Sequence, residues 1–304
     1  MTPYPQYQQD ISLCREIHKK YGKSFYFGTF LFSPEEHDAI CVLYAFFRLP
    51  DEYVDTDFSD RKDIALSKLE KWNQSWHAFY EDDSKEAVDD ESRVLKATSY
   101  IFHAYNIPFE YSQSFLAAMI QDTHKERYET YPELEDYMYG SASVVGLMVT
   151  HVICNTDAKF LQDEIYRKDV LLKAQRLGEA FQMTNFLRDV GEDMKIRGRI
   201  YLPLEDLKKF GVSEKDIADK KVTSEFISLM KYEIERTNEL YKQADEGIQM
   251  LPKKAGRGVR VARVLYAEII KKIKQNKYDV LHTRARVSFI GKVSLAAQTL
   301  IYKK

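Results

Sequence analysis

Turn-forming residues are scarce in this chain. Twelve glycines and eight prolines in 304 residues fall well below the usual shares of about 7% and 5%, which points to long helices and few turns. Cysteine is scarcer still: Cys14, Cys41 and Cys154 are far apart, odd in number and without metal-ligand spacing. A disulfide framework is thereby excluded and a reduced, cytoplasmic setting expected. No long hydrophobic run exists; the longest, Ala39 to Phe47, has nine residues, much too few to cross a bilayer. The stretch Met1–Asp10 has neither the basic start nor the apolar core of a signal peptide. Neither sign of charge dominates. The net charge of -2 and a pI near 6.4 leave no nucleic-acid footprint. Also missing are G-x-G-x-x-G, Walker A, G-x-S-x-G and H-E-x-x-H, and with them the usual dinucleotide, nucleotide, serine-hydrolase and zinc-hydrolase signatures.

What is present is helical periodicity from end to end. It predicts helices at 9–21, 33–55, 60–81, 91–105, 108–124, a stretch running through Ile153, then 162–195, 222–249, 256–275 and 280–302, with no strand alternation, repeat or interdomain linker. Ser33-Pro-Glu-Glu36 is a capping box with proline at the first helical position. Pro50, further along the same segment, is expected to kink that helix or end it. Tyr139-Gly-Ser-Ala-Ser-Val-Val-Gly146 puts small residues into an otherwise apolar helix, a pattern that favours close helix packing.

Two stripes carry chemistry. In the segment from Gly178, apolar residues (Ala180, Phe181, Met183, Phe186, Leu187, Val190) alternate with Gln182, Asn185, Asp189 and Asp193, which fall three and four apart on one helix face. Arg188 is placed to answer Glu192 at i,i+4, leaving Asp189 and Asp193 as unpaired acids of like charge. Earlier, Tyr44, Arg48, Asp51 and Asp55 repeat the arrangement at spacings of four, three and four. One such pair is as well read as a solvated acidic face, with Arg48 bridging Asp51. Two pairs, each beside an arginine, fit a hard cation such as Mg2+, which takes one or two carboxylates and fills its octahedron with water and phosphate oxygens. On facing helices of a bundle they would hold a polyphosphate. An aromatic, apolar interior then suits ionisation of an allylic diphosphate.

Those residues resemble the squalene/phytoene synthase family, the head-to-head trans-isoprenyl diphosphate synthases, from about Cys14 to Arg286. Gln182, Asn185, Arg188, Asp189, Glu192 and Asp193, followed by Arg199-Ile-Tyr-Leu-Pro203, carry the most specific part. Tyr44 and Arg48 leading into Asp51-Glu-x-Val-Asp55 resemble the first acidic motif in its phytoene synthase form. Lys23-Ser24-Phe25 matches a phosphate-side turn, residues 139–146 a tunnel-lining segment, and Tyr266, Tyr278, Arg284 and Arg286 a looser C-terminal signature. Leu49-Pro50 and Ser143 depart from the usual pattern.

The resemblance implies an all-α fold, a single-domain isoprenoid synthase bundle over 1–304 with a central active-site cavity. It implies condensation of two prenyl diphosphates through a cyclopropylcarbinyl diphosphate to a linear carotenoid precursor, foremost phytoene from geranylgeranyl diphosphate. The alternatives are dehydrosqualene or squalene from farnesyl diphosphate, or the single-substrate chemistry of a class I terpene cyclase. By the same resemblance Asp51, Asp55, Asn185, Asp189 and Asp193 bind Mg2+, with Mn2+ as a substitute. Lys23, Ser24, Tyr44, Arg48, Gln182, Arg188 and Tyr266 hold diphosphate. Tyr44, Arg48, Asp51, Arg188 and Asp189 are the catalytic set. NADPH is not expected, nor is nucleic acid. A monomer or weak dimer is expected, in the cytoplasm with peripheral membrane contact.

Overall fold

The computed structural model describes residues 5–22, 26, 28–55 and 62–301, with Asp55 and Phe289 described by their backbone alone. Lys23, Ser24 and Phe25, the expected phosphate-side turn, lie outside the described residues. Among the described residues there are helices and turns but no strand, as the periodicity predicts. After a 3-10 turn at Pro5–Tyr7 come α1 (Gln8–Tyr21), α2 (Pro34–Asp55), α3 (Lys62–Glu81), α4 (Asp90–Ala104) and α5 (Phe109–Gln121). Then follow α6 (Tyr131–Met138), a π-helical turn (Tyr139–Ser143), α7 (Val144–Ile153), α8 (Ala158–Gln162) and the long α9 (Glu164–Arg197). The chain ends with α10 (Leu204–Phe210), α11 (Glu214–Ala218), α12 (Ser224–Met250), α13 (Lys253–Gln275) and α14 (Phe289–Ile301).

Contacts group the chain into two compact units, the first made of 1–124, 144–171 and 251–258, the second of 125–143, 172–250 and 259–304. In the first, α2 is the central rod. Ile40, Cys41, Val42, Leu43, Ala45 and Phe46 are all buried, so the helix is apolar nearly all round, as a core helix must be. It packs against α1, α3, α4, α5 and α7. The capping box forms as predicted: the Ser33 amide donates to Glu36 at 2.6 Å and the Glu36 amide to Ser33 Oγ at 3.2 Å. Trp76 fills the space beyond, its ring 5.0 Å from those of Phe46 and Phe102, its indole N–H donating to Ser112 at 2.8 Å. Each such buried ring stabilises the fold by about 1.5–3 kcal/mol.

Pro50 does not end α2, which continues to Asp55. The lost hydrogen bond costs about 3 kcal/mol, and packing on both sides of the proline outweighs it. Phe46 is buried before it, Tyr53 and Val54 after it, and the Tyr53 hydroxyl donates to Glu91.

In the second unit, α12 buries Phe226, Leu229, Met230, Ile234, Leu240, Tyr241 and Ile248 along one face and packs on α10. Tyr241 shares a 2.8 Å hydrogen bond with Thr184 of α9. The small-residue segment packs closely: a Cβ at Gly178 would lie 2.8 Å from the Ala142 carbonyl and 3.0 Å from Ser143 Cα. The last predicted helix is shorter than its pattern, starting at Phe289 rather than 280. After α13 the backbone turns through left-handed Lys277 and Tyr278 (φ 54° and 63°), and Asp279 accepts from the His282 amide at 3.1 Å. The 280–281 backbone then lies against Gly191, where an added Cβ would meet the Leu281 carbonyl at 2.6 Å. Apolar spacing in this stretch reflects contact with α9, not helicity.

Candidate active site

The acid stripe of α2 forms in the first unit. Arg48 donates to Asp51 at 2.5 Å and also pairs with Glu52, so the ordinary i,i+3 bridge weighed for Asp51 is present. Its guanidinium stands 5.1 Å from the centre of the Tyr21 ring. Tyr44, one turn earlier, stacks on His18 at 4.0 Å and 15°. His18 is held in turn by Cys41, whose sulfur is 3.3 Å from Nδ1. Burial, helped by the neighbouring His37 charge, pushes the His18 pKa down to about 3, which leaves a neutral ring under Tyr44 at ordinary pH. Gly22 is required here: a Cβ would lie 2.8 Å from both the Tyr44 hydroxyl and His18 Cδ2. Sequence reading missed His18 and Gly22, although a glycine directly before Lys23-Ser24 was a legible signal. Asp55 lies in the last turn of α2, its side chain outside the described residues.

The second stripe forms on α9 in the second unit. Asp189 is gripped by two guanidinium forks. Arg188 donates through Nε and Nη2 to its two oxygens at 2.8 and 2.5 Å, and Arg284 does the same at 2.7 and 2.9 Å. Arg284 also stands 3.1 Å from Glu192 Oε2. The expected i,i+4 partnership of Arg188 with Glu192 is therefore replaced by a bidentate pairing of Arg188 with Asp189. Asp189 is not unpaired. Nor is Asp193, which is buried and accepts from Arg197 at 2.9 Å, a basic residue four positions on. Burial opposes the Arg188 charge; its hydrogen bonds to the Asp189 carboxylate more than offset this, and its pKa rises.

Asn185 donates to Gln182 at 3.3 Å and hydrogen-bonds the Tyr266 hydroxyl. Tyr266 stacks on Phe181 at 4.1 Å, and burial raises its pKa. Gln182, Asn185, Arg188, Asp189 and Tyr266 thus form one contiguous group, with Arg284 added from 95 positions away. Beyond α9, Arg199 is buried and donates to the Tyr201 hydroxyl at 3.0 Å, and Tyr201 stacks on Phe186 at 4.2 Å.

Among the described residues no three His, Cys, Asp or Glu side chains gather as a metal-ligand cluster. The donors of each stripe still suit Mg2+, which needs only one or two carboxylates when phosphate and water supply the rest. Asn185, Asp189 and Asp193 offer hard oxygens in a row, and the guanidinium groups that balance the two acids have the fork geometry that also suits phosphate. Two surface hollows of the second unit, about 240 and 330 Å³, lie along α12 and α13 and contain none of the residues read from sequence.

A sequence model described as squalene/phytoene synthase matches residues 18–290. The chain belongs to the squalene/phytoene synthase family. This member is 35% identical over 289 residues to a 15-cis-phytoene synthase of Synechocystis sp., an alignment covering 94% of this chain and 82% of that protein. It is 36% identical over 281 residues to a phytoene synthase of Arthrospira platensis, covering 90% and 87%. Among solved structures it is similar to a dehydrosqualene synthase in complex with ligand, with TM-score 0.83 and 28% identity over 98% of both chains. It also shares the fold of squalene synthase HpnC from Alicyclobacillus acidocaldarius, TM-score 0.76 at 22% identity over 90% of this chain and 96% of that one. The all-α isoprenoid synthase fold is therefore established.

Proposed function

We infer that this squalene/phytoene synthase family member is a prenyltransferase that joins two geranylgeranyl diphosphates head to head to give phytoene. The observation that carries the reading is the oxygen-rich stripe of α9 whose Asp189 is held by two guanidinium forks. It is a ready-made acceptor for a metal diphosphate, in a chain about a third identical to proteins named phytoene synthase. The likeness to a dehydrosqualene synthase structure supports a second reading, the same coupling of farnesyl diphosphate.

Asp51 and Asp55 on α2 would hold Mg2+ in the first unit, and Asn185, Asp189 and Asp193 on α9 would hold it in the second. When bound, that ion neutralises the diphosphate leaving group as charge builds on it. The chain's own residues do the rest. Arg48, Arg188 and Arg284 exchange carboxylate partners for phosphate oxygens, an interaction that strengthens as the C–O bond breaks. Lys23, Ser24, Tyr44, Gln182 and Tyr266 orient the diphosphates. The allylic cation from one substrate is attacked by the double bond of the other; the cyclopropylcarbinyl diphosphate so formed ionises in turn, rearranges and loses a proton. We propose that the whole chain works as one catalytic domain, as a monomer or weak dimer.

Incubation with Mg2+ and either C15 or C20 prenyl diphosphate, without NADPH, tests this. Phytoene, identified by mass and by its central-triene absorbance, is expected from the C20 substrate, and Asp51→Asn or Asp189→Asn should abolish it while the protein stays folded. Product that requires NADPH and lacks the triene, cyclic product from a single substrate, or normal turnover in either variant would overturn the reading.

A further inference from the structure

Directly after α6 the backbone widens into the π-helical turn Tyr139–Ser143. Such turns are rare, and they occur often at functional sites. This one lies on the same stripe of α9 as the site residues. Steps of four, three, four and four join Gly178 to Gln182, Asn185, Asp189 and Asp193. At Gly178 there is no room for a side chain, because a Cβ would lie 2.8 Å from the Ala142 carbonyl oxygen and 3.0 Å from Ser143 Cα. The turn therefore closes the stripe one helical turn before Gln182.

A buried carboxylate holds it there. Ser143 and Glu179 are both fully enclosed, at 0% exposure, and Ser143 Oγ donates to Glu179 Oε1 at 3.4 Å. Gln175 Nε2 donates to the same oxygen at 2.8 Å, and Arg176 Nη1 donates to Oε2 at 2.6 Å. Arg176 Nη1 also donates to Glu135 at 2.8 Å, on the helix that enters the turn. The clamp so formed grips the turn at its last residue and at the helix before its first. Ser141, inside the turn, has a buried hydroxyl with no hydrogen-bond partner among the described residues, so of the turn's two serines only Ser143 is tied. Taking a carboxylate out of water is costly, and an apolar side chain would cover the turn without that cost. What the ion network supplies instead is direction. Three donors fix the carboxylate, and the carboxylate fixes where Ser143 stands.

We propose that Glu179 is a positioning residue: through Ser143 it holds the π-helical turn against α9 and so limits the length of prenyl chain accepted. This rests on the reading of the substrate as a prenyl diphosphate held by Gln182, Asn185, Arg188 and Asp189. Along the stripe, an apolar chain leaving that diphosphate has two ways to run. One ends at Lys195 and Arg197, in the basic last turn of α9; the other passes Phe181 and meets the turn at Gly178. The test measures, by calorimetry with Mg2+, the binding of C15, C20 and C25 prenyl thiodiphosphates, analogues that resist ionisation. Ser143→Ala and Glu179→Gln release the turn while nearly keeping its bulk. Each should raise affinity for the next longer chain, relative to the chain the wild type prefers, by about tenfold, since even one methylene counts that much in a fitted pocket. Thr184→Val removes a buried hydrogen bond to Tyr241 elsewhere on α9; it should lower the melting temperature and leave the ratio unchanged. An unchanged ratio in either clamp variant, folded by circular dichroism, overturns the proposal. So does an equal shift in Thr184→Val, which would mean that any loosening of α9 suffices, and so does a wild type that binds none of the analogues. If Glu179→Gln does not fold, Ser143→Ala decides alone. The expected shift in binding, with no head-to-head product from C15 or C20 diphosphate, would sink the proposed reaction and leave this inference standing.

Discussion

Asp189 has two cationic partners that read differently in sequence. Arg188 is adjacent, yet its spacing assigned it to Glu192 instead; Arg284 stands 95 positions away and was seen only as part of a loose C-terminal signature. Both forks close on the same two oxygens. Arg188→Lys keeps the charge and loses the fork. Turnover should fall at least tenfold, about 1.4 kcal/mol in the barrier, with little change in melting temperature because Arg284 still balances Asp189. Steady-state kinetics beside a thermal melt decide it; near-normal turnover would strike Arg188 from the site.

Between elements, the joint of α10 and α12 holds a buried charge arrangement that no motif announced. Arg236 of α12 donates to Glu233 at 2.9 and 2.7 Å and to Asp206 of α10 at 2.9 Å. Its guanidinium lies 4.1 Å from the centre of the Tyr131 ring of α6 and 4.9 Å from that of Tyr232. One cation serving two buried carboxyls leaves a negative charge in excess. Burial first, then the Asp206 charge, pushes the Glu233 pKa up to about 8. The folded pKa is thus above the unfolded one. The fold has the full contribution of neutral Glu233 below about pH 4.5 and loses it as pH rises through about 8. Melting temperature should fall across that window, and Glu233→Gln, an amide that mimics the neutral acid, should flatten the fall. Parallel slopes in the two proteins would refute this account.

For the molecule as a whole, the proposed chemistry couples metal and diphosphate, so each should bind better in the presence of the other. Inorganic diphosphate with Mg2+ should raise the melting temperature by several degrees, since saturation at about a hundred times Kd stabilises by ~2.7 kcal/mol. Either ligand alone should give less than half that shift. Asp189→Asn should remove it. Equal shifts from diphosphate alone and from the pair would remove the metal from the model of binding. Among the described residues no helix is long and apolar enough to cross a membrane.

Helicity, the capping box at Ser33, the two acid stripes and the family were all determined by sequence alone, because each rests on neighbours within one or two helical turns. Tertiary structure decided what depends on distant chain. Pro50 sits inside α2 because packing on both sides outweighs its local cost. Residues 280–288 are not helical because Gly191 admits the 280–281 backbone against α9. The acids expected to be unpaired are paired, Asp193 by a residue four positions on and Asp189 partly from the far end of the chain.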